Sequence, residues 1–275
     1  MENKIKSTSF EYDFSYQENQ ANKYRNRASN HWKFRIQKAF DLFEQFKLEF
    51  SAQKPSKISV LDVGCSSGTF AIEFAKRGFT SVGIDFDPES IKMAKILAKE
   101  ESVKPEFICD DVSNLALSKR KFEVIVCFDI FEHLHQDELG SLLVSLRKLM
   151  KPDSILIFHT YPSKYTNLLN IFLTNKLLRA LALLFPENKF RKIVKFLYHL
   201  NDAIRLIFKG QTYEDSIKKH DHCRLYSIDE LIDIFLRSKY RVRFIESSDL
   251  YLENPKYSKN NILNSNLYGV LSLEP

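Results

Sequence analysis

Cysteine, glycine and long apolar runs are all scarce in this chain of 275 residues. Its four cysteines, Cys65, Cys109, Cys127 and Cys223, are scattered singly, with no C-x-x-C pair. That excludes a zinc ribbon, and four are too few for a disulfide scaffold of this length. The longest apolar run in a helical stretch is Ala180 to Phe185, far short of the roughly 20 residues that cross a bilayer. The first 30 residues are polar throughout, so no secretory signal is expected and the reading is a protein of the reducing cytoplasm. Excess charge of one sign is small too. The 41 Lys and Arg against 35 Asp and Glu leave +6, mildly basic and not histone-like. Internal repeats and low-complexity tracts are absent.

Hydrophobic residues make up 44% and charged residues 28% of the chain, which excludes global disorder and is ample for a real core. Of only seven glycines, Gly64, Gly68, Gly78 and Gly83 fall within twenty positions, marking where the backbone turns tightly or approaches something closely. Residues 29–50 read as an amphipathic helix, with Trp32, Ile36, Ala39, Phe40, Phe43, Phe46 and Phe50 at spacings of three and four. Strands then alternate with helices. Ile58–Val63, Ser81–Ile84, Glu106–Cys109, Phe122–Phe128 and Ser154–Phe158 read as strands, and Thr69–Arg77, Pro88–Glu100 and Asp137–Met150 as helices. Asp87 is the expected N-cap of the second helix, with Pro88 at its first position. Ile228–Ser238 reads as a further helix, and Tyr240–Ile245 and Leu267–Leu273 as strands that pair as a hairpin. The expected fold is α/β, a doubly wound and mostly parallel seven-stranded sheet with a helical insertion after strand five.

Four units follow from this pattern. Residues 1–56 form an N-terminal helical segment, 57–162 a core, 163–219 the insertion, and 220–275 a C-terminal helix and strands that complete the sheet. The insertion holds eleven Lys and Arg against four Asp and Glu, so it accounts for all the excess charge. Its apolar stripes, including Leu168, Phe172, Leu177, Ile193, Phe196, Leu200, Ile204, Ile207 and Phe208, fit plain helix packing above a solvated basic face. They also fit contact with anionic headgroups through Lys189, Arg191, Lys192 and Lys195. Without a pattern of stacking aromatics, nucleic acid is not the expected partner.

Val60-Leu61-Asp62-Val63-Gly64-Cys65-Ser66-Ser67-Gly68-Thr69 is a strand, a glycine turn and a helix start, the place where doubly wound sheets bind ligands. A dinucleotide fingerprint wants Gly at positions taken here by Ser66 and Thr69, and so fails. Asp62-x-Gly64-x-Ser66-x-Gly68 is similar to the acid-x-Gly-x-Gly-x-Gly loop of class I S-adenosylmethionine-dependent methyltransferases, with serine at the middle glycine. The resemblance continues to about residue 160. Gly83-Ile84-Asp85-Phe86-Asp87 resembles the second strand, whose acid binds the ribose diol, and Cys109-Asp110-Asp111-Val112 resembles the loop that meets adenine, Asp111 matching better than Asp110. Phe128-Asp129-Ile130-Phe131-Glu132-His133-Leu134 resembles the exit of strand four. The resemblance implies S-adenosylmethionine as cofactor, bound by Asp62, Gly64, Cys65, Ser66, Gly68, Asp85, Phe86, Asp111, Val112 and Phe128.

Methyl transfer needs alignment of nucleophile, methyl carbon and sulfur, and a hydroxyl acceptor also needs a general base. His133 and His159, both at the carboxyl edge of the sheet, are the candidate catalytic residues. Asp129-x-x-Glu132-His133 with the later His222 also resembles the Glu-x-x-Glu-His…His metal set of small-RNA 2′-O-methyltransferases and ubiquinone-pathway O-methyltransferases, with Asp for the first Glu. His159-Thr160-Tyr161-Pro162 and the following insertion resemble bacterial methyltransferases of surface polysaccharides and lipid-linked sugars. The expected activity is O-methylation of a sugar or lipid-linked small-molecule hydroxyl by a cytoplasmic enzyme, peripheral at the inner membrane face through 163–219. The alternatives are a metal-assisted RNA ribose 2′-O-methyltransferase, a silent cofactor-binding or membrane-docking protein, and N- or C-directed methylation.

Overall fold

Strand order in the single sheet is β3-β2-β1-β4-β5-β7-β6. The strands are β1 (Ser59–Val63), β2 (Thr80–Asp85), β3 (Glu106–Cys109), β4 (Phe122–Phe128), β5 (Met150–Thr160), β6 (Tyr240–Ser248) and β7 (Asn266–Leu273). The computed structural model describes residues 14–27, 30–47, 53–111, 120–165, 178, 181, 184–217, 223–248 and 265–274. Helices among them are α1 (Phe14–Arg25), α2 (Asn30–Phe46), α3 (Thr69–Lys76), α4 (Pro88–Glu100), α5 (Gln136–Arg147), α6 (Glu187–Lys209), α7 (Tyr213–Ile217) and α8 (Ile228–Arg237). β1 to β5 run parallel, while β7 pairs antiparallel with both β5 and β6. This is the expected doubly wound, mostly parallel seven-stranded sheet, and its last two strands are the expected hairpin pair.

Period-two alternation sorts each central strand between two cores. Leu61, Val63, Phe122, Ile125, Cys127, Leu156 and Phe158 face α5 and α8, meeting Leu139, Leu143, Leu231 and Phe235. Val60, Val124, Val126, Ile155 and Ile157 face the other way, against Ile36, Phe40 and Phe43 of α2 and Phe70 and Phe74 of α3. Every residue of β4 is buried, as a strand covered on both faces requires. Each large apolar side chain removed from water in this way stabilises the fold by roughly 2 kcal/mol.

Sequence order runs outward from β1 to β3 on one side and from β4 to β5 on the other. The reversal falls between β1 and β4, so the loops leaving these two strands flank one crevice. One expectation needs correction. The helix read as reaching Met150 stops at Arg147, and Met150 instead pairs with Phe122 at the start of a longer β5. The register shift between Phe122 and Val124 absorbs Pro152, which has no N–H to give a regular ladder. Within residues 1–56 lies α1, whose bounds the sequence periodicity did not mark. Its Gln17, Ala21 and Tyr24 are buried, and Tyr24 donates to Glu73 of α3 at 2.9 Å.

Candidate functional site

The turn after β1 is built from three residues in the left-handed region. Gly64, Ser66 and Gly68 have φ of 60°, 45° and 82°. A serine there bears strain of about 1–2 kcal/mol that glycine would not, which is the physical meaning of the serine in the acid-x-Gly-x-Ser-x-Gly pattern. A Cβ on Gly64 would lie 2.9 Å from Ile130 Cδ1, so the glycine turn and the exit of β4 touch across the crevice. A Cβ on Gly68 would lie 2.8 Å from Phe107 and 2.9 Å from Ala94. Here glycine lets α3 pack close against its neighbours.

Asp62 lies below this turn with its side chain on the α3 face of β1. It is buried and accepts the Ala71 N–H at 2.9 Å. Burial, with the Asp85 carboxylate adding repulsion, pushes its carboxyl up to about 7. Cys65 is buried too, and its thiol is pushed up by burial first and by Asp62 and Asp85 next. Phe128 turns into the core, its ring 4.3 Å from that of Phe70. The side chains of these three residues shape the seat from beneath.

Asp85 ends β2 at the rim. Its carboxylate accepts the Ser66 N–H at 2.8 Å and the Asp87 N–H at 3.0 Å, tying the glycine turn to β2. Burial raises its carboxyl above the ordinary range, against the opposing effect of these amides. Beside it Phe86 is 49% exposed, an unusual setting for an aromatic ring and one that offers a flat apolar face. Asp87 caps α4 as expected, accepting the Ser90 N–H at 2.9 Å. Gln17 of α1 donates to both Asp87 (3.0 Å) and Ser90 (2.6 Å), bringing the N-terminal helix to the edge of the site. From β3, the Asp110 N–H reaches the Asp85 carbonyl at 3.0 Å and Asp111 follows at the rim. Val112 lies outside the described residues.

Across the crevice, Asp129 leaves β4 with φ of 57°, a left-handed residue at the strand's exit. Its N–H donates to the His159 carbonyl at 3.1 Å, and its Oδ1 is 2.6 Å from His159 Nδ1 and 3.4 Å from Arg35 of α2. His159 is wholly buried, with Nε2 2.9 Å from Asn266 Oδ1. Glu132 is buried as well and accepts the Thr160 hydroxyl at 2.8 Å. Its burial, then the Asp129 charge, raises its carboxyl. The Glu132 backbone carbonyl takes the N–H groups of Cys223 and Arg224 at 2.8 and 3.2 Å. His133 is half-buried in the short turn Phe131–His133.

These partners bear on the metal reading. A guanidinium and an imidazole already share Asp129, and Glu132 is bonded to Thr160. Among the described residues no three His, Cys, Asp or Glu side chains converge to hold a metal ion, and His222 lies outside them. Asp129 and Glu132 thus each have protein contacts of their own. Arg35 and Asn266 were missed by sequence reasoning. They stand far from the motifs in the chain, and no local pattern marks them.

The donor set does fit S-adenosylmethionine. A left-handed glycine turn open to a helix N-terminus, a strand-end carboxylate and an exposed aromatic ring line one crevice, and a side chain at Gly64 would intrude on it. A methyltransferase-domain profile matches residues 31–243. Ubiquinone biosynthesis O-methyltransferase of Actinobacillus pleuropneumoniae is 34% identical over 131 residues, 45% of this chain and 55% of that protein. The Rickettsia akari enzyme of the same name is 31% identical over 105 residues, 38% of this chain and 41% of that protein. The chain thus spans about half the length of the curated relatives it matches. Magnesium protoporphyrin IX methyltransferase from Synechocystis, solved with bound SAH, superposes with a TM-score of 0.51 at 16% identity, over 87% of this chain and 83% of that one. A TehB-like SAM-dependent methyltransferase from Corynebacterium glutamicum gives 0.52 at 14% identity, over 95% and 100%. Identities this low show a shared fold. With the profile covering most of its length, the chain belongs to the methyltransferase-domain family.

Proposed function

We propose that this enzyme methylates a hydroxyl oxygen of a small molecule, a sugar or lipid-linked acceptor met at the inner face of a membrane. Gly64 and Ser66 hold the cofactor's amino-acid end by backbone approach, Asp85 takes the ribose diol, and Phe86 and Asp111 flank the adenine. The sulfonium supplies a methyl group already activated for transfer. The chain's own task is to align the acceptor oxygen with the methyl carbon and sulfur and to receive the hydroxyl proton. One observation carries the oxygen reading. The Asp129 side chain is 29% exposed, one residue before the Ile130 that faces Gly64, while His159 and Arg35 lie against its Oδ1. As the new C–O bond forms and the C–S bond breaks, the proton passes to Asp129. His159 positions that carboxylate, and His133 stands at the same rim. The ubiquinone O-methyltransferase relatives also act on oxygen, as their name says.

The test uses purified protein, methyl-labelled S-adenosylmethionine and cell extract split into lipid, small-molecule, protein and nucleic-acid fractions. The expected product is an alkali-stable methyl ether in the lipid or small-molecule fraction. Label on RNA ribose, or on nitrogen or carbon, overturns the acceptor reading.

A further inference from the structure

Helix α6 has one side packed against described residues and another that is exposed. Phe190, Val194 and Tyr198 are buried, packing with Tyr165 and Leu178. Phe196, Leu200, Ile204 and Ile207 are exposed instead, and their spacings of four, four and three line them up in a single stripe. At the helix end Leu206 is exposed as well, and Ile207 and Phe208 are 77% and 81% exposed. Gly210 then stops the helix in the left-handed region with φ of 67°, and α7 folds back, its Tyr213 N–H bonded to Asp202 at 2.9 Å. The most exposed apolar residues therefore form the tip of a helical hairpin.

The charge around this stripe points to its occupant. α6 carries Lys189, Arg191, Lys192, Lys195, Arg205 and Lys209 against Glu187 and Asp202. Arg191 is spent on Glu187 at 2.8 Å and Lys195 on Asp229 at 2.6 Å. Lys189 and Lys192 lie seven and four residues before Phe196, on the same side of the helix as the stripe, and Lys209 follows the tip. Symmetric pairing with a second copy would bring this basic helix against its own lysines. No described helix is long and apolar enough to cross a membrane. An amphipathic helix with apolar and basic groups side by side suits the plane of an anionic bilayer surface, where apolar side chains sink below the headgroups and lysines meet the phosphates.

We infer that α6 docks this protein on anionic lipid bilayers, with Ile207 and Phe208 as the inserted tip and Lys189 and Lys192 as its electrostatic collar. The inference names the surface by which the enzyme of the preceding section meets a lipid-linked acceptor. It rests on that reading only for its purpose, because vesicle binding needs neither cofactor nor acceptor.

The full chain is tested by co-sedimentation with vesicles of phosphatidylcholine alone and of phosphatidylcholine with phosphatidylglycerol. Wild type should bind the anionic vesicles well, bind the neutral ones weakly, and lose affinity as salt rises. Ile207→Asp with Phe208→Asp should weaken binding by roughly tenfold or more, with thermal stability unchanged. Lys189→Glu with Lys192→Glu should weaken it by a similar factor and flatten the salt dependence. Equal sedimentation of wild type and both variants overturns the inference. So does a wild-type dimer in solution that the tip variant converts to monomer while vesicle binding stays the same. Loss of methyl transfer with intact vesicle binding would count against the acceptor reading alone.

Discussion

His159 Nδ1 stands 2.6 Å from Asp129 Oδ1, and the imidazole has no surface open to solvent. Its Nε2 is taken by Asn266 at 2.9 Å, so both ring nitrogens are engaged. A histidine held at both ends fixes a neighbouring carboxylate better than it reaches an acceptor. Asp129→Asn keeps the left-handed backbone, which asparagine tolerates, but removes the proton acceptor. Methyl transfer should fall roughly 100-fold while cofactor affinity, measured by calorimetry, stays the same. His159→Gln should lose less, about tenfold, through a misplaced carboxylate. A larger loss for the His159 variant than for the Asp129 variant would give the ring the direct role.

Gly64 has φ of 60° and faces Ile130 across the crevice. Gly64→Val places a β-branched side chain in a region such residues avoid, at a cost of about 2 kcal/mol. The contact with Ile130 Cδ1 adds little, since that atom ends a flexible side chain. The variant should stay folded with a lowered melting temperature. Its binding of S-adenosylmethionine should be lost, because the new side chain occupies the space of closest approach. Normal calorimetric binding would show that the cofactor lies elsewhere.

Asp85 has two duties that one substitution can separate. Its carboxylate holds the Ser66 and Asp87 amides, and under the proposed reading it accepts the ribose hydroxyls. Asp85→Ala should weaken cofactor binding by about 2–3 kcal/mol and also lower stability, as two amides lose their acceptor. Asp85→Asn keeps one acceptor oxygen for the turn but gives up the charge, so binding should fall more than stability. If both variants bind as wild type does, the carboxylate serves the turn only.

What the sequence made legible was local. α4 matches its expected bounds because its cap is written in adjacent residues, with the Asp87 side chain accepting the Ser90 N–H and Pro88 following. β3 and β4 also match, as short apolar runs bounded by polar turns. The bounds of α1 carry no clear periodicity, because besides Ala21 and Tyr24, which pack on α3 and α4, polar contacts with distant residues secure this end of the chain. Arg25 reaches Glu100 at 2.7 Å and Arg27 reaches Glu101 at 2.6 Å, and no periodicity reports such pairs. The site divides in the same way. Gly64, Ser66 and Asp85 announce themselves by spacing, whereas Arg35 and Asn266 join Asp129 and His159 only through the packing of α2 and the antiparallel insertion of β7.

The Asp62 side chain is buried beneath the turn, bonded to the Ala71 N–H at 2.9 Å. Its carboxyl is raised from 3.8 to about 7, chiefly by burial. In the folded protein it therefore keeps its proton across a range where the unfolded chain has lost it. Below about pH 4 both states are protonated and the group contributes no difference. As pH rises towards 7 the unfolded state is increasingly favoured, reaching a penalty of about 4 kcal/mol once the native carboxyl has ionised. Asp62→Asn removes that titration while its side-chain oxygen still accepts the Ala71 N–H. At pH 4.5 the variant should be no more stable than wild type, since its buried amide N–H groups need new partners. By pH 7.5 it should have gained several kcal/mol on wild type. Urea titrations of both proteins at the two pH values measure this. An equal difference at both would show that Asp62 ionises in the native state as it does in the unfolded chain.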